Sequence, residues 1–300
     1  METRTAAVEP AGKGAGKTAP ADYPFHRRYL ALPAGRMHYV DEGEGPPLLF
    51  VHGTPTWSYE WRHLIRAFSD GRRCVAPDHL GFGFSDRPRD FPYTPEAHAA
   101  NLSRFVRELD LRDITLVVHD FGGPIGLPVC LEEPARVRKV VVINSWMWSF
   151  EDDGEMAKKA RVASGALGRL LYRHANFSLK VLTPYAYGDR RRLTPAIHRA
   201  YLDRFPDRDS RERVLWTLAR ALLGSSAFYR GLWEKRHVLR EKPVLLAWGL
   251  KDRAFEPRLL DRWKEALPGA SVTELPNSGH WPHEEEPEAV IRAMRAFLAG

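Results

Sequence analysis

From about residue 22 onward, short runs of β-branched and apolar residues alternate with segments whose apolar positions recur at helical spacing. That pattern predicts strands and helices sharing an α/β sheet. Arg36 to Asp41 and Pro47 to Val51 read as adjoining strands, separated by the turn-forming run Glu42-Gly43-Glu44-Gly45-Pro46. A third strand is expected over Arg73 to Pro77, after the amphipathic segment Tyr59 to Phe68. Pro95 to Leu109 places Ala97, Leu102, Phe105, Val106 and Leu109 on one helical face, and Ile114 to His119 follows as a strand. The alternation implies right-handed crossovers and a largely parallel sheet.

Val137 to Ile143 is the next expected strand, but the following buried run, Pro243 to Trp248, arrives only about a hundred residues later. The intervening chain is rich in Arg, Tyr and Leu at helical spacing, including Leu167, Leu170, Leu171 and Tyr172, and contains no convincing strand. It reads as a helical cap inserted over the sheet. A helix at Glu256 to Leu267, a strand at Ser271 to Leu275 and a closing helix at Glu288 to Leu298 complete the pattern. The expected organisation is a disordered tail over residues 1–21, a main α/β domain over 22–147 and 216–300, and a helical cap over 148–215.

Composition narrows the class. With 44% hydrophobic and 28% charged residues over 300 positions, the chain is expected to bury a substantial core. No apolar run approaches the ~20 residues of a membrane span, and the first residues lack the apolar centre of a secretory signal, so the expected compartment is the cytoplasm. The net charge of +7 is spread among interspersed acids and arginines without an aromatic-interleaved basic block, which argues against nucleic acid as a partner. Cys74 and Cys130 are the two cysteines, each in or near an apolar segment, and are expected to be reduced and buried. The segment AGKGAGKT, Ala11 to Thr18, imitates a phosphate-binding loop. It lacks the preceding strand and following helix that such a loop needs, so it is read as part of the tail.

The sharpest chemical signal is Val118-His119-Asp120-Phe121-Gly122-Gly123 at a strand-to-helix junction. A nucleophile elbow presents its central side chain on a tight turn and needs a small residue two positions later, which Gly122 supplies. Asp120 occupies the place where the serine of such motifs stands. Downstream, Trp248-Gly249-Leu250-Lys251-Asp252 puts an acid just past a strand, and Asn277-Ser278-Gly279-His280 puts a histidine in a loop after the last strand. Nucleophile, acid, histidine is the chain order of the α/β-hydrolase triad. Val51-His52-Gly53-Thr54-Pro55 follows a strand where this fold draws a second oxyanion-hole N–H, so Thr54 and Phe121 are the expected backbone donors. Asp78 to Ser85, DHLGFGFS, is expected to shape the adjacent loop without taking part in the chemistry.

Together HGTPTWSYEWR, DHLGFGFSD, VVHDFGGPIG, WGLKD and the final SGH resemble the haloalkane dehalogenases and their relatives the epoxide hydrolases. The resemblance covers about residues 25–298 and implies the α/β-hydrolase fold with an aspartate nucleophile and a cap. A carboxylate attacking an acyl group would give an anhydride, so Asp120 suits a saturated carbon bearing a leaving group. The resulting alkyl ester would then be hydrolysed by water that His280, oriented by Asp252, deprotonates. A small apolar organic substrate and water are the expected partners, and this chemistry calls for no metal or organic cofactor. The sequence does not set the oligomeric state.

The family's halide is usually held by a tryptophan directly after the nucleophile and a second donor, often asparagine in the HGxP motif. Phe121 and Thr54 depart from both, so Trp57, Trp146 and Trp148 are the expected replacements in a substrate or halide pocket. Epoxide hydrolases instead use cap tyrosines as acids, for which Tyr172, Tyr185, Tyr187 and Tyr201 are available by location. Fluoroacetate dehalogenases carry arginine after the nucleophile, and Phe121 argues against that option. A binding protein on a decayed scaffold is a further alternative, disfavoured by the intact Asp120, Asp252 and His280.

Overall fold

The computed structural model describes residues 18–300, so the AGKGAGKT segment lies, apart from Thr18, outside the described residues. The body of the fold begins slightly earlier than the expected tail boundary at residue 21. The Arg204 guanidinium donates to the Thr18 carbonyl at 3.1 Å, and the Tyr23 N–H donates to the Pro20 carbonyl at 3.0 Å.

Eight strands form one sheet: β1 (Arg28–Leu32), β2 (Gly35–Glu42), β3 (Pro47–Val51), β4 (Arg73–Pro77), β5 (Ile114–Asp120), β6 (Val137–Ser145), β7 (Val244–Gly249) and β8 (Ser271–Leu275). Their spatial order is β1-β2-β4-β3-β5-β6-β7-β8. The β1–β2 and β2–β4 pairs are antiparallel, and every pair from β4 to β8 is parallel. Strands such as β5, ITLVVHD, are buried along their whole length, as a parallel sheet covered on both faces requires. β1 has no counterpart among the sequence-predicted strands. Its residues Arg28 to Leu30 are only half-buried at the sheet edge, so its sequence carries no continuous apolar run.

The connections explain where a site can form. After β3 the chain passes through helix Arg62–Phe68 to β4 on one side; after β5 it passes through helix Gly122–Glu132 to β6 on the other. The β3 and β5 C-terminal ends therefore flank a topological switch point, where open α/β sheets leave a crevice. Thr54 and Asp120 stand at its two sides.

Residues 146–243, between β6 and β7, contain helices and no strand. Helix Gly154–Ser164, capped by Asp153 whose carboxylate accepts the Met156 N–H at 3.0 Å, packs on helix Thr217–Gly224. The helical layer thus continues past residue 215, and helices Ser226–Glu234 and His237–Arg240 return to pack on Gly122–Glu132. The molecule is an α/β-hydrolase fold with a helical cap. Among the described residues no helix is long and apolar enough to cross a membrane. Cys74 and Cys130 are buried free thiols whose pKa values burial pushes up, to about 12 and about 11.

One glycine shows how tightly the switch point is packed. A Cβ on Gly122 would lie 2.1 Å from the Val51 carbonyl oxygen of the neighbouring strand, so helix Gly122–Glu132 can sit this close only without a side chain there. Gly231, inside helix Ser226–Glu234, meets nothing within 4 Å. Gly122→Ala is expected to lower unfolding free energy by about 1–3 kcal/mol or more through overpacking. Gly231→Ala is expected to be neutral or to stabilise by up to about 1 kcal/mol through helix propensity. Urea denaturation of both variants checks the contrast.

Candidate active site

Asp120 ends β5 with φ +51°, a left-handed conformation that non-glycine residues rarely adopt outside enforced turns. The bend is enforced from several sides. The Ser145 hydroxyl donates to the Asp120 carbonyl at 2.5 Å, and a Cβ on Gly123 would lie 2.1 Å from that same hydroxyl oxygen. A Cβ on Gly53 would lie 2.2 Å from Asp120 Oδ1, so the chain after β3 must be bare where it passes the carboxylate. With that clearance the Thr54 N–H donates to Asp120 Oδ1 at 2.7 Å, and Phe121 begins the following helix.

The second oxygen faces the histidine: His280 Nε2 lies 3.3 Å from Asp120 Oδ2. On the other side of the ring, Nδ1 lies 2.7 Å from Asp252 Oδ2. Asp252 is itself fully committed. Its Oδ1 accepts the Ala254 and Phe255 N–H groups at 2.7 and 2.9 Å, and its Oδ2 also accepts the Asn144 amide at 2.8 Å. Burial works against charge on His280, but the Asp252 and Asp120 carboxylates outweigh it and raise the imidazole to about 10. The structure therefore brings Asp120, His280 and Asp252 into one line at the C-terminal ends of β5, β7 and β8, hydrogen-bonded between His280 and Asp252 and within ion-pair distance between His280 and Asp120.

Above that line lies a cavity of about 750 Å³ whose walls include Met156, Leu171, Phe177, Leu182, Leu215 and Phe255. Its polar lining includes Thr54, Asp120, Tyr172 and His280 together with the exposed charged residues Glu155, Lys158, Lys159 and Arg253. The volume fits a small apolar organic molecule, and the apolar walls leave the Asp120 carboxylate few competing ligands.

The three tryptophans expected in this pocket do not line it. Trp57 donates its indole N–H to the Ala200 carbonyl at 3.2 Å and is satisfied in the core. Trp146 lies behind Phe121, with ring centroids 4.8 Å apart, and Trp148 is packed between Trp233 and Trp263 at 5.0 and 5.2 Å. The indole on the cavity wall belongs instead to Trp281, directly after His280. Of the four cap tyrosines, Tyr172 and Tyr185 line the cavity. Tyr187 stacks on Trp281, and Tyr201 donates to Glu284 at 2.7 Å. Asn144 was also missed by the sequence reading. It ties β6 to β7 through the Gly249 N–H at 2.9 Å while holding Asp252. Its one signal was a polar residue directly after the apolar run Val140 to Ile143.

Known proteins share this architecture. A profile of the α/β hydrolase fold family matches residues 46–287. Haloalkane dehalogenase 2 of Mycobacterium tuberculosis strain H37Rv is 38% identical over 276 residues, covering 92% of this chain and 96% of that protein. A cis-3-alkyl-4-alkyloxetan-2-one decarboxylase of Xanthomonas campestris pv. campestris is 32% identical over 297 residues, covering 91% and 95%. The crystal structure of haloalkane dehalogenase DatA from Agrobacterium tumefaciens C58 superposes with a TM-score of 0.79 at 27% identity, covering 91% of this chain and 96% of that one. An elbow aspartate, a matched histidine and acid, a helical cap and these relatives converge on one conclusion: the chain is an enzyme of the haloalkane dehalogenase family within the α/β-hydrolase superfamily.

Proposed function

We propose that the enzyme hydrolyses carbon–halogen bonds of small haloalkanes through a covalent alkyl ester on Asp120. The observation that carries this reading is the Asp120 carboxylate at the floor of an apolar cavity, with Oδ1 on the Thr54 N–H and Oδ2 beside His280 Nε2. In the first step Asp120 Oδ2 forms a bond to the substrate carbon while the carbon–halogen bond breaks, and halide departs with the electron pair. Esterification removes one of the two carboxylate charges that favour the His280 cation, which moves the imidazole toward the neutral form a base needs. His280, steadied by Asp252, then takes a proton from water as the water oxygen attacks the Asp120 Cγ. The oxyanion forms on Oδ1, where the Thr54 N–H already points and the Phe121 N–H is the expected second donor. Collapse breaks the Cγ–Oδ2 bond, the departing alkoxide takes the proton from His280 and leaves as alcohol, and the second proton of the attacking water passes from Asp120 to solvent, which restores the carboxylate.

A second reading shares the nucleophile and changes the leaving group. Tyr172 lines the cavity, and its phenol is held above its ordinary pKa by burial and then by the Asp120 charge, which places a retained proton within electrostatic reach of the nucleophile. Such a donor suits a strained oxygen ring, whose opening leaves an alkoxide on the substrate. Epoxides belong to this class.

His280→Ala is expected to alkylate but not to hydrolyse. After mixing with 1-bromobutane or 1,2-dibromoethane, intact-protein mass spectrometry should show one alkyl adduct, mapped to the peptide containing Asp120, with stoichiometric bromide release. An adduct formed from an epoxide but from neither bromide moves the assignment to the second reading. Asp252→Asn is expected to slow ester hydrolysis by about a hundredfold or more while alkylation changes only a few-fold, as rapid-quench kinetics would resolve. Tyr172→Phe should leave bromide release within about threefold, because halide departure needs no proton; a loss beyond about a hundredfold would place the phenol at the leaving group.

A further inference from the structure

Beside His280, outside the cavity lining, three side chains meet that the proposed chemistry does not use. Glu60, on the helical turn after the Thr54 loop, His119, directly before Asp120, and His283, three residues after His280, are each completely buried. Five of their polar atoms, both Glu60 oxygens, His119 Nδ1 and both His283 nitrogens, lack a hydrogen bond of normal geometry. An isolated buried carboxylate is strongly disfavoured unless a cation or a proton compensates it.

The spacing identifies the kind of compensation. His119 Nε2 lies 2.8 Å from the His280 carbonyl and must donate to it, so the neutral ring turns the Nδ1 lone pair toward Glu60. Nδ1 stands 3.4 Å from Glu60 Oε1, and His283 Nε2 stands 3.9 Å from Oε2. Charge-assisted hydrogen bonds are shorter, about 2.7–2.9 Å, and a single shared proton would leave most of the five atoms unanswered. One ligand atom from each residue can be chosen so that all three lie within 4.8 Å of one another. Ligand atoms about 2.0–2.2 Å from a tetrahedral zinc ion stand roughly 3.3–3.6 Å apart, so the widest separation must close by about 1.2–1.5 Å, shared among the three side chains, when an ion enters. The donation from His119 to a backbone carbonyl is also the outer-shell bond that orients metal-binding histidines.

We propose that Glu60, His119 and His283 form a buried site for one divalent transition-metal ion of the zinc type, joining the chain segments that carry Thr54, Asp120 and His280. Two imidazoles and a carboxylate are one of the ligand sets such ions take, with a water in the fourth position. The ion touches neither the cavity nor the reacting atoms. It is a structural element that fixes His119, and through the His280 carbonyl it fixes the backbone of the general base. Because the site is closed, the ion enters as the chain folds.

The test uses tag-free protein produced in minimal medium with Co²⁺ as the probe, and also unfolded and refolded with Co²⁺. Close to one cobalt per chain is expected by elemental analysis, with the visible absorption of low-symmetry Co²⁺ and an X-ray absorption shell containing two imidazoles. Glu60→Gln and His283→Gln should each lose the metal and its absorption. Folded wild-type protein that takes up no cobalt by either route overturns the proposal, as does cobalt that persists in both variants. Should the variants fail to fold, the imidazole count in the wild-type spectrum decides alone. A wild-type protein that binds no metal would overturn this site alone and leave the reading of Asp120 as nucleophile standing.

Discussion

Keeping a carboxylate ionised and aimed at the floor of an apolar cavity is the demand around which the fold is organised. Asp120 sits on a left-handed bend with little water to solvate it, so each of its oxygens needs a fixed partner. The Thr54 N–H, 2.7 Å from Oδ1, and the His280 ring, 3.3 Å from Oδ2, are those partners. One comes from the loop after β3 and the other from the loop after β8. The bare passage at Gly53 and Gly122 lets the β3 loop and the helix after β5 approach within contact distance. Asn144 and Asp252 then lock the histidine from behind.

The order of the sheet makes this convergence possible. β3 and β5 are neighbours in space though separated by β4 in the chain, and their connections leave in opposite directions. β7 and β8 bring Asp252 and His280 to the same C-terminal edge, and the helices between β6 and β7 close the space above. In the proposed reaction, that cover limits the water reaching the nucleophile while it is alkylated.

Much of this was legible in the sequence, for physical reasons. The buried parallel strands read as apolar runs, and β3 and β4 fall at the bounds the pattern predicts, because a strand covered on both faces has no use for polar residues; β8 falls at its predicted bounds as well, although it is a largely exposed edge strand. Elbow, acid and histidine stood out because each combines a strand end with a glycine or a charged residue. The edge strand β1 was silent because half of it faces solvent. Residue type also failed to say where an indole points. Trp57, Trp146 and Trp148 are core side chains, while Trp281 reached the cavity wall from a loop that the histidine had already marked. Asn144 and the trio Glu60, His119 and His283 were invisible in one dimension, since their meaning comes from meeting across segments far apart in the chain.

The account stands on covalent attack by Asp120, and the source of the product oxygen tests that attack directly. With enzyme in excess over a haloalkane, a single turnover in water enriched in oxygen-18 should give unlabelled alcohol, because its oxygen comes from the Asp120 carboxylate. The heavy isotope should appear in the peptide containing Asp120, introduced when water attacks Cγ. Labelled alcohol together with an unlabelled Asp120 peptide would mean that water displaces the halide without a covalent intermediate, and would contradict the mechanism.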